Sequence, residues 1–469
     1  MDHEGDIPVL IVGAGPAGLT AAVTLARYGV RCMLVERRPD LSSLPRATSV
    51  STRTMELLRS WGLEEEVLAG GVDADWQVWD CETLSRAAEG QARTGGFPSP
   101  AQSAMVSPAA PACVPQDWLE PVLLSHLRAL GTAQVEFGAE IVDAASGPDG
   151  VRAVLRRVAK GERRVVRARY LIAADGAHSG VRKALGIRMS GPSDLEDAIT
   201  ALFSAPLTQL LGDRLHGIYN ITHPDAPGLF LPAGRGDRWL YGHLLDRERD
   251  RIADFTEDVL TRRIRIGAGV WDLRPRIERI GGFTFAAQVA ESYRRDSAFL
   301  VGDAAHRVTP RGGTGMNTAI HDGHDLGWKL SWVLRGWADA GLLDSYEAER
   351  RPVAEHNAEW SADPNASARP IEDTLAVDIG GRIPHVWLAS GGGRVSTLDL
   401  LGPGLTLFAG PRWAAATSVS ARAPVTVRRL DAISARAMGV SADGALVARP
   451  DGRPAEVLTA GAPALRRVA

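Results

Sequence analysis

The chain of 469 residues is poor in cysteine and in lysine, with only Cys32, Cys81 and Cys113 of the one and Lys160, Lys183 and Lys329 of the other. Three cysteines, all before residue 114 and without a Cys-x-x-Cys or Cys/His grouping, exclude a disulfide framework and leave no ligand set for a metal. They suit a reducing, cytoplasmic setting. Long apolar runs are missing as well: no window supplies roughly 18 uncharged apolar residues, the length a membrane-spanning helix needs. The N-terminus carries acidic residues before one short apolar run, unlike the basic region and long apolar core of a secretory signal. The formal net charge is −3, so no excess of either sign draws the chain to nucleic acid or to an anionic membrane. Small neutral or weakly acidic molecules remain as partners.

What is present is an ordinary globular composition on a chain too long for one core. Hydrophobic residues make up 45%, and 469 residues predict two or three domains with shared interfaces. Fifty glycines and twenty-eight prolines are spread between periodic apolar segments, which argues for many turns and against disorder. Internal repeats are absent.

The run Val9 to Val12 reads as a parallel strand buried on both faces. It leads into Gly13-Ala14-Gly15-Pro16-Ala17-Gly18, then a helix-prone stretch to Tyr28, then a second strand from Cys32 to Val35 ending in Glu36. Alone, the glycine pattern is weak; between a strand and a helix, with an acid about 20 residues on, it reads as a dinucleotide-binding turn. Gly13 permits the tight turn, Gly15 lets a diphosphate approach the backbone, and Gly18 lets helix and strand pack closely. The helix N-terminus favours the diphosphate charge, and Glu36 accepts from ribose hydroxyls. Arg37 and Arg38 follow and suit a 2′-phosphate, so this unit alone leaves FAD and NAD(P) both open.

Two later stretches bear on that choice. Tyr170 to Ala174 reads as a strand ending in Asp175-Gly176, with a turn and a helix start through Arg182. Ala298 to Val301 is a strand ending in Gly302-Asp303, followed by Pro310-Arg311-Gly312-Gly313-Thr314-Gly315-Met316-Asn317 and a long helix. In that helix Met316, Ile320, Gly323, Gly327, Leu330 and Leu334 recur at helical spacing, a face built for close packing.

With these three fingerprints in order, the sequence resembles the class A aromatic hydroxylases, the one-component FAD monooxygenases that include phenol hydroxylase and polyketide-tailoring hydroxylases. Further matches are Pro45-Arg46-Ala47, the run Arg53 to Leu58, Pro115-Gln116, and Tyr346 to Pro352, so the resemblance spans residues 7 to about 355. It implies tightly bound, non-covalent FAD, with Gly13, Gly15, Ala17, Gly18, Glu36, Arg37, Arg46, Gln116, Asp175, Gly302, Asp303, Pro310, Gly313, Gly315, Met316 and Asn317 contacting it. Asp303 resembles the family residue that binds the ribityl chain, and Arg46 and Gln116 resemble those that contact phosphate and ribityl groups. Pro310, Gly312 and Gly313 resemble the residues beside the reacting ring. The resemblance further implies NADPH or NADH as a transient reductant, and O₂ activated as a flavin C4a-hydroperoxide whose distal oxygen goes to an electron-rich aromatic carbon. No second complete Gly-x-Gly-x-x-Gly unit exists to hold the nicotinamide cofactor. No catalytic base is assigned; His223, His243 and His306 read as core or surface histidines.

The expected architecture is α/β: a Rossmann-like FAD-binding domain of the glutathione reductase type, an inserted antiparallel β-sheet substrate domain, and a small thioredoxin-like C-terminal domain. Residues 1–185 form the first part of the FAD-binding domain, with segment 76–112 contributing to the substrate domain. Residues 186–280 form the substrate domain, 281–360 the second part of the FAD-binding domain with the long helix, and 361–469 the C-terminal domain, which lacks redox cysteines. Pro364, Pro370 and the glycine run 391–393 are read as a linker. In the substrate domain Tyr219, Phe230, Trp239 and Tyr241, in short aromatic strands, are candidates to line the cavity.

The resemblance favours polycyclic phenols or quinones of polyketide origin as substrates, within antibiotic biosynthesis, and a monomer or homodimer. Two rivals share the flavin fingerprints: a protein that binds FAD and sequesters a pathway intermediate without oxidising it, and an epoxidising or Baeyer–Villiger variant. A flavin halogenase is disfavoured, because its Trp-x-Trp-x-Ile-Pro segment and lysine relay are absent.

Overall fold

The computed structural model describes residues 7–93, 96–212, 215–368, 370–391, 393–414 and 421–459. Strand Ile7–Val12 lies in the middle of the main sheet, between Cys32–Glu36 and Arg163–Ala173, with all three parallel; Ala133–Phe137 and Ala298–Leu300 extend the parallel set on either side. Val9, Leu10 and Ile11 are fully buried, as a continuous aliphatic run covered on both faces requires. An antiparallel extension, Ala139–Gly147 with Gly150–Arg157, pairs onto Arg163–Ala173. Because the central strands run the same way, the turns that follow them gather along one edge of the sheet.

A second, seven-stranded sheet is built from Asp197–Ser204, His216–Ile221, Gly228–Pro232, Arg238–Leu244 and Arg276–Thr284, with Asp75–Cys81 and Gln91–Arg93 added at one side. Helix Glu257–Ala268 covers one of its faces: Leu260, Ile264 and Ala268 share a core with the sheet's aromatics. A third, mixed sheet of four strands (Leu405–Ala409, Val425–Arg429, Ala445–Ala448, Pro454–Leu458) forms the C-terminal unit. Of the glycine run read as a linker, Gly392 lies outside the described residues. Gly391 and Gly393 stand at the turn of a hairpin between Trp387–Ser390 and Gly393–Ser396. All three cysteines are buried, and burial pushes the thiols of Cys32 and Cys113 up to about 12 and that of Cys81 up to about 11, which keeps them protonated and inert.

The first helix, Pro16–Arg27, packs along the long helix Gly315–Leu334. Their contact depends on missing side chains: a Cβ at Gly323 would stand 2.3 Å from the Ala17 carbonyl oxygen, and one at Gly327 would stand 2.8 Å from Thr24 Cβ. Residue numbers rise together along the contact, so the helices run parallel and both N-termini emerge at one end. Farther along the same long helix the buried Lys329 ammonium lies 2.7 Å from Asp325 and 3.1 Å from Glu349, and Arg449 of the C-terminal unit grips Glu349 with two bonds of 2.7 Å. These paired charges, with the Trp332 indole N–H donating to the Pro403 carbonyl, tie the third sheet to the main domain.

Gly323→Ala is expected to destabilise the fold by about 1–3 kcal/mol, since neither helix backbone can yield. Gly341→Ala, where a Cβ meets nothing within 4 Å, is expected to be neutral. Denaturant unfolding followed by circular dichroism checks both, and equal midpoints for the two variants would refute the close-packing account.

Candidate cofactor and active site

The turn after the first strand is shaped by three glycines for different reasons. Gly13 has a φ of +107°, and a Cβ there would come within 2.3 Å of the Ala174 carbonyl oxygen. A Cβ on Gly18 would lie 2.0 Å from the Gly13 carbonyl oxygen. Gly15 is unlike both: its φ of −79° suits any residue, and a Cβ there would meet nothing within 4 Å. No described residue requires glycine at 15, which leaves the backbone there open to the approach of a bound group. Gly15 is also the N-cap of the first helix without offering a side-chain cap, which leaves donors and the positive end of the helix facing that open space.

Neighbouring turns converge on the same place. Glu36 Oε2 accepts from the Ala14 N–H at 2.9 Å and Oε1 from the Arg38 N–H at 2.9 Å, so its carboxylate is held beside the glycine turn with lone pairs to spare. Arg37 and Arg46 are exposed, and neither forms a salt bridge with a described residue. Gln116 donates its backbone N–H to the Ala47 carbonyl and its amide to Glu120 at 2.7 Å, which places the 46–47 and 115–116 segments side by side. Burial pushes the Glu120 carboxyl up to about 7 against the opposing pull of Gln116; sequence reasoning missed Glu120, whose signal was an acid one helical turn after Gln116 on the buried face. Asp175 accepts from Ser179 Oγ and, at 3.1 Å, from the Val181 N–H. Arg182 is buried and donates to the carbonyls of Ala177 and Ala304, so it joins the Asp175 turn to the Asp303 turn.

Gly302 has a φ of +58°, and a Cβ there would stand 3.0 Å from the Cβ atoms of both Ala17 and Ala319, wedged between the two parallel helices. Asp303 itself points outward and is exposed. Behind this turn Asp322 receives the Gly302 N–H at 3.1 Å, the His306 Nε2 at 2.7 Å and the Arg350 Nε at 2.7 Å. Burial opposes its ionisation, yet the Arg350 guanidinium and His306 hold its carboxyl below the usual range. His306 is therefore structural, and His243 is turned to the Pro227 carbonyl at 2.8 Å. Asp322 and Arg350 were not singled out as site residues, although Arg350 stands inside the Tyr346–Pro352 run.

Past Pro310, which is exposed at the rim, Gly312 and Gly313 take φ values of +78° and +63°. The long helix then starts without a side-chain cap, the second uncapped helix N-terminus facing the site. Met316 and Asn317 are buried. Asn317 is the clamp: its amide donates to the carbonyls of Gly313 (3.0 Å) and Ser49 (3.1 Å), and its Oδ1 accepts from the Ser51 N–H (2.8 Å) and Thr54 Oγ1 (2.9 Å). A Cβ on Gly313 would stand 2.7 Å from Ser49 Oγ and 3.3 Å from the Phe97 ring. Phe97 in turn meets Trp76 edge-on, with centroids 5.1 Å apart. Taken together, a space that only Gly15 leaves open, two uncapped helix ends, an oriented Glu36 and a glycine turn fit an extended ligand with a diphosphate at one end and a flat ring at the other, as FAD has.

The expectation for the substrate side needs correction. Tyr219, Phe230, Trp239 and Tyr241 are at most 1% exposed and pack into one core with Leu260, Ile264 and Ala268 of the covering helix. Strand alternation turns them to that face. The intervening residues Ile218, Leu231 and Leu240 point the opposite way and are half-buried, yet they belong to neither the main core nor this one. Trp76, beside Gly217 on the neighbouring strand, links that second face to Phe97 and so to Gly313.

The chain matches the FAD binding domain family over residues 6–361. It is 36% identical to aklavinone 12-hydroxylase of Streptomyces purpurascens, over 96% of this chain and 95% of that protein. It is 34% identical to tetracenomycin A2 monooxygenase-dioxygenase of Streptomyces glaucescens, over 95% and 92% respectively. The crystal structure of aklavinone-11 hydroxylase in ternary complex with FAD and aklavinone shares the fold with a TM-score of 0.87 at 32% identity, covering 100% of this chain and 97% of that one. Agreement between a ligand-shaped cradle and relatives aligned along nearly their whole length leaves one assignment: the chain belongs to the FAD-dependent aromatic hydroxylases, the class A flavoprotein monooxygenases.

Proposed function

We propose that this monooxygenase hydroxylates a polycyclic phenol or quinone of polyketide origin, with one oxygen atom from O₂ and with NADPH or NADH as reductant. The observation that carries the substrate class is the second face of the seven-stranded sheet. Ile218, Leu231, Leu240 and Trp76 are apolar, half-buried and committed to neither large core, and the buried Phe97 adjoins them through Trp76. Left without a partner such a face is costly; a flat, largely apolar molecule of several fused rings covers it. Aklavinone hydroxylases and a tetracenomycin monooxygenase-dioxygenase among the relatives carry names of that chemical class.

When bound, FAD supplies oxygen activation, the step no side chain can perform. The protein's own part is placement, charge and dryness. The N-termini at Pro16 and Gly315 offer backbone donors to negative charge at the diphosphate and at the ring. Glu36 and Asp303 would accept from sugar and ribityl hydroxyls, and Gln116, its amide nitrogen committed to Glu120, keeps Oε1 as an acceptor. The Gly312–Gly313 turn, whose positive φ values suit glycine, would bring backbone next to the ring. Trp76, Phe97, Leu231 and Leu240 keep water from the aromatic carbon that is oxidised. No catalytic base is assigned at that face.

Gly15→Val tests the cradle. Its side chain points into the space assigned to the diphosphate, so FAD affinity is expected to fall by about 100-fold or more while the unfolding midpoint stays near wild type. A variant purified yellow with stoichiometric FAD would sink the assignment of that space.

The substrate face is read by a pair of variants assayed with tetracyclic phenols and quinones, using NAD(P)H oxidation and ¹⁸O incorporation from ¹⁸O₂. Leu240→Trp is expected to lower kcat/KM by about tenfold or more through crowding of the cleft, with FAD retained. Tyr241→Phe, which removes only a hydroxyl bonded to the Pro227 carbonyl on the far face, is expected to leave kcat/KM within about twofold. The reverse order of effects, or product without ¹⁸O, would overturn the proposal.

A further inference from the structure

We propose that Asp378, at the end of helix Ile371–Asp378 in the lead-in to the C-terminal unit, is a positioning residue for the flavin turn, acting through Ser51 and Asn317 on Gly313. The inference rests on the flavin reading given above and extends it to a part of the chain that contributes nothing to the dinucleotide fingerprints.

The bonds form an unbroken line. Asp378 Oδ1 accepts from Ser51 Oγ at 2.7 Å, and Oδ2 accepts from the Arg53 N–H at 2.9 Å. Ser51 passes its own N–H to Asn317 Oδ1, and the Asn317 amide holds the Gly313 carbonyl. Ser51 is 2% exposed and Asn317 4%, so water does not replace a lost partner cheaply. On one side of the turn lies a pocket, lined by Ser51, Phe97, Gly313, Asn317, Trp360, Thr374, Val377 and Asp378. With open space on that side, the turn shifts more readily when one of these bonds goes than a turn enclosed by side chains on every side.

A latch that merely docks the C-terminal unit would be a simpler role for Asp378. The unit already has such latches away from the turn: Arg59 pairs with Asp399 at 3.0 Å, Arg449 with Glu349, and Trp332 with the Pro403 carbonyl. A half-buried carboxylate that receives two donors, one of them from the buried Ser51, is a costly addition to these unless its acceptors are needed where they are.

The test uses full-length Asp378→Asn, Ser51→Ala, the double variant, and Arg59→Ala as a docking control, each titrated with FAD and scanned through the visible flavin bands. Asp378→Asn and Ser51→Ala are each expected to raise the FAD Kd by about tenfold and to alter the shape of the bound-flavin spectrum. The double variant is expected to be no worse than the more affected single, because both cut one line. Arg59→Ala is expected to lower the unfolding midpoint with the spectrum superimposable on wild type. Ser51→Ala reads the link without touching the carboxyl, so it decides even where Asp378→Asn folds poorly. Wild-type spectra and Kd in both single variants, or fold-changes that multiply in the double, would overturn the proposal. Wild-type protein that takes up no FAD would overturn the flavin reading itself, and this inference with it.

Discussion

Everything at the site depends on how closely two parallel helices approach. Gly323 and Gly327 bring Gly315–Leu334 against the backbone of Pro16–Arg27, and at the mouth of that contact Gly302 fits between Ala17 and Ala319. Because the helices run the same way, their positive ends emerge together, one after the glycine turn at 13–18 and one after the turn at 312–313. A few ångströms of extra separation would send the two ends to different places. One ligand could not then have its charged centre on the first and its ring on the second.

The second constraint is how the turns are held once gathered. Side chains reach across from behind and fix backbone groups: Arg182 on the Ala304 carbonyl, Asp322 on the Gly302 N–H, Asn317 on the Gly313 carbonyl. Each is buried, so its bonds do not compete with water. What remains accessible is the set of groups a cofactor would meet: Asp303, Arg37 and Arg46 are exposed, and Gly15 faces open space. The C-terminal unit belongs to the same design. Its cysteine-free sheet has no redox chemistry to offer, and it is coupled to the flavin domain through the paired charges of Lys329, Glu349 and Arg449 and through Asp378.

Much of this was legible in the sequence, because it is local. The strand, glycine turn, helix and acid from Val9 to Glu36 are contiguous, and each residue's reason is a matter of φ, missing Cβ or chain direction. The Gly302-Asp303 turn and the glycine face of the long helix are likewise written in short spacings. The substrate side was less legible for a physical reason: alternation says that Tyr219 and Ile218 face opposite ways, but which face meets the covering helix depends on how the whole sheet is laid down. Large aromatics went to the helix-covered core, where burial is complete, and the smaller Ile218, Leu231 and Leu240 stand half-buried on the opposite face.

The sequence by itself determined the dinucleotide cradle and the family, since those rest on residues close together in the chain whose conformational demands are met within one βαβ unit. Only the tertiary structure decided which face of the seven-stranded sheet the covering helix takes, and that Asp322 and Asp378 stand behind the turns at 302 and 313. Those contacts join residues tens to hundreds of positions apart, such as Ser51 and Asp378, and a hydrogen bond between distant residues leaves no periodic trace in either segment.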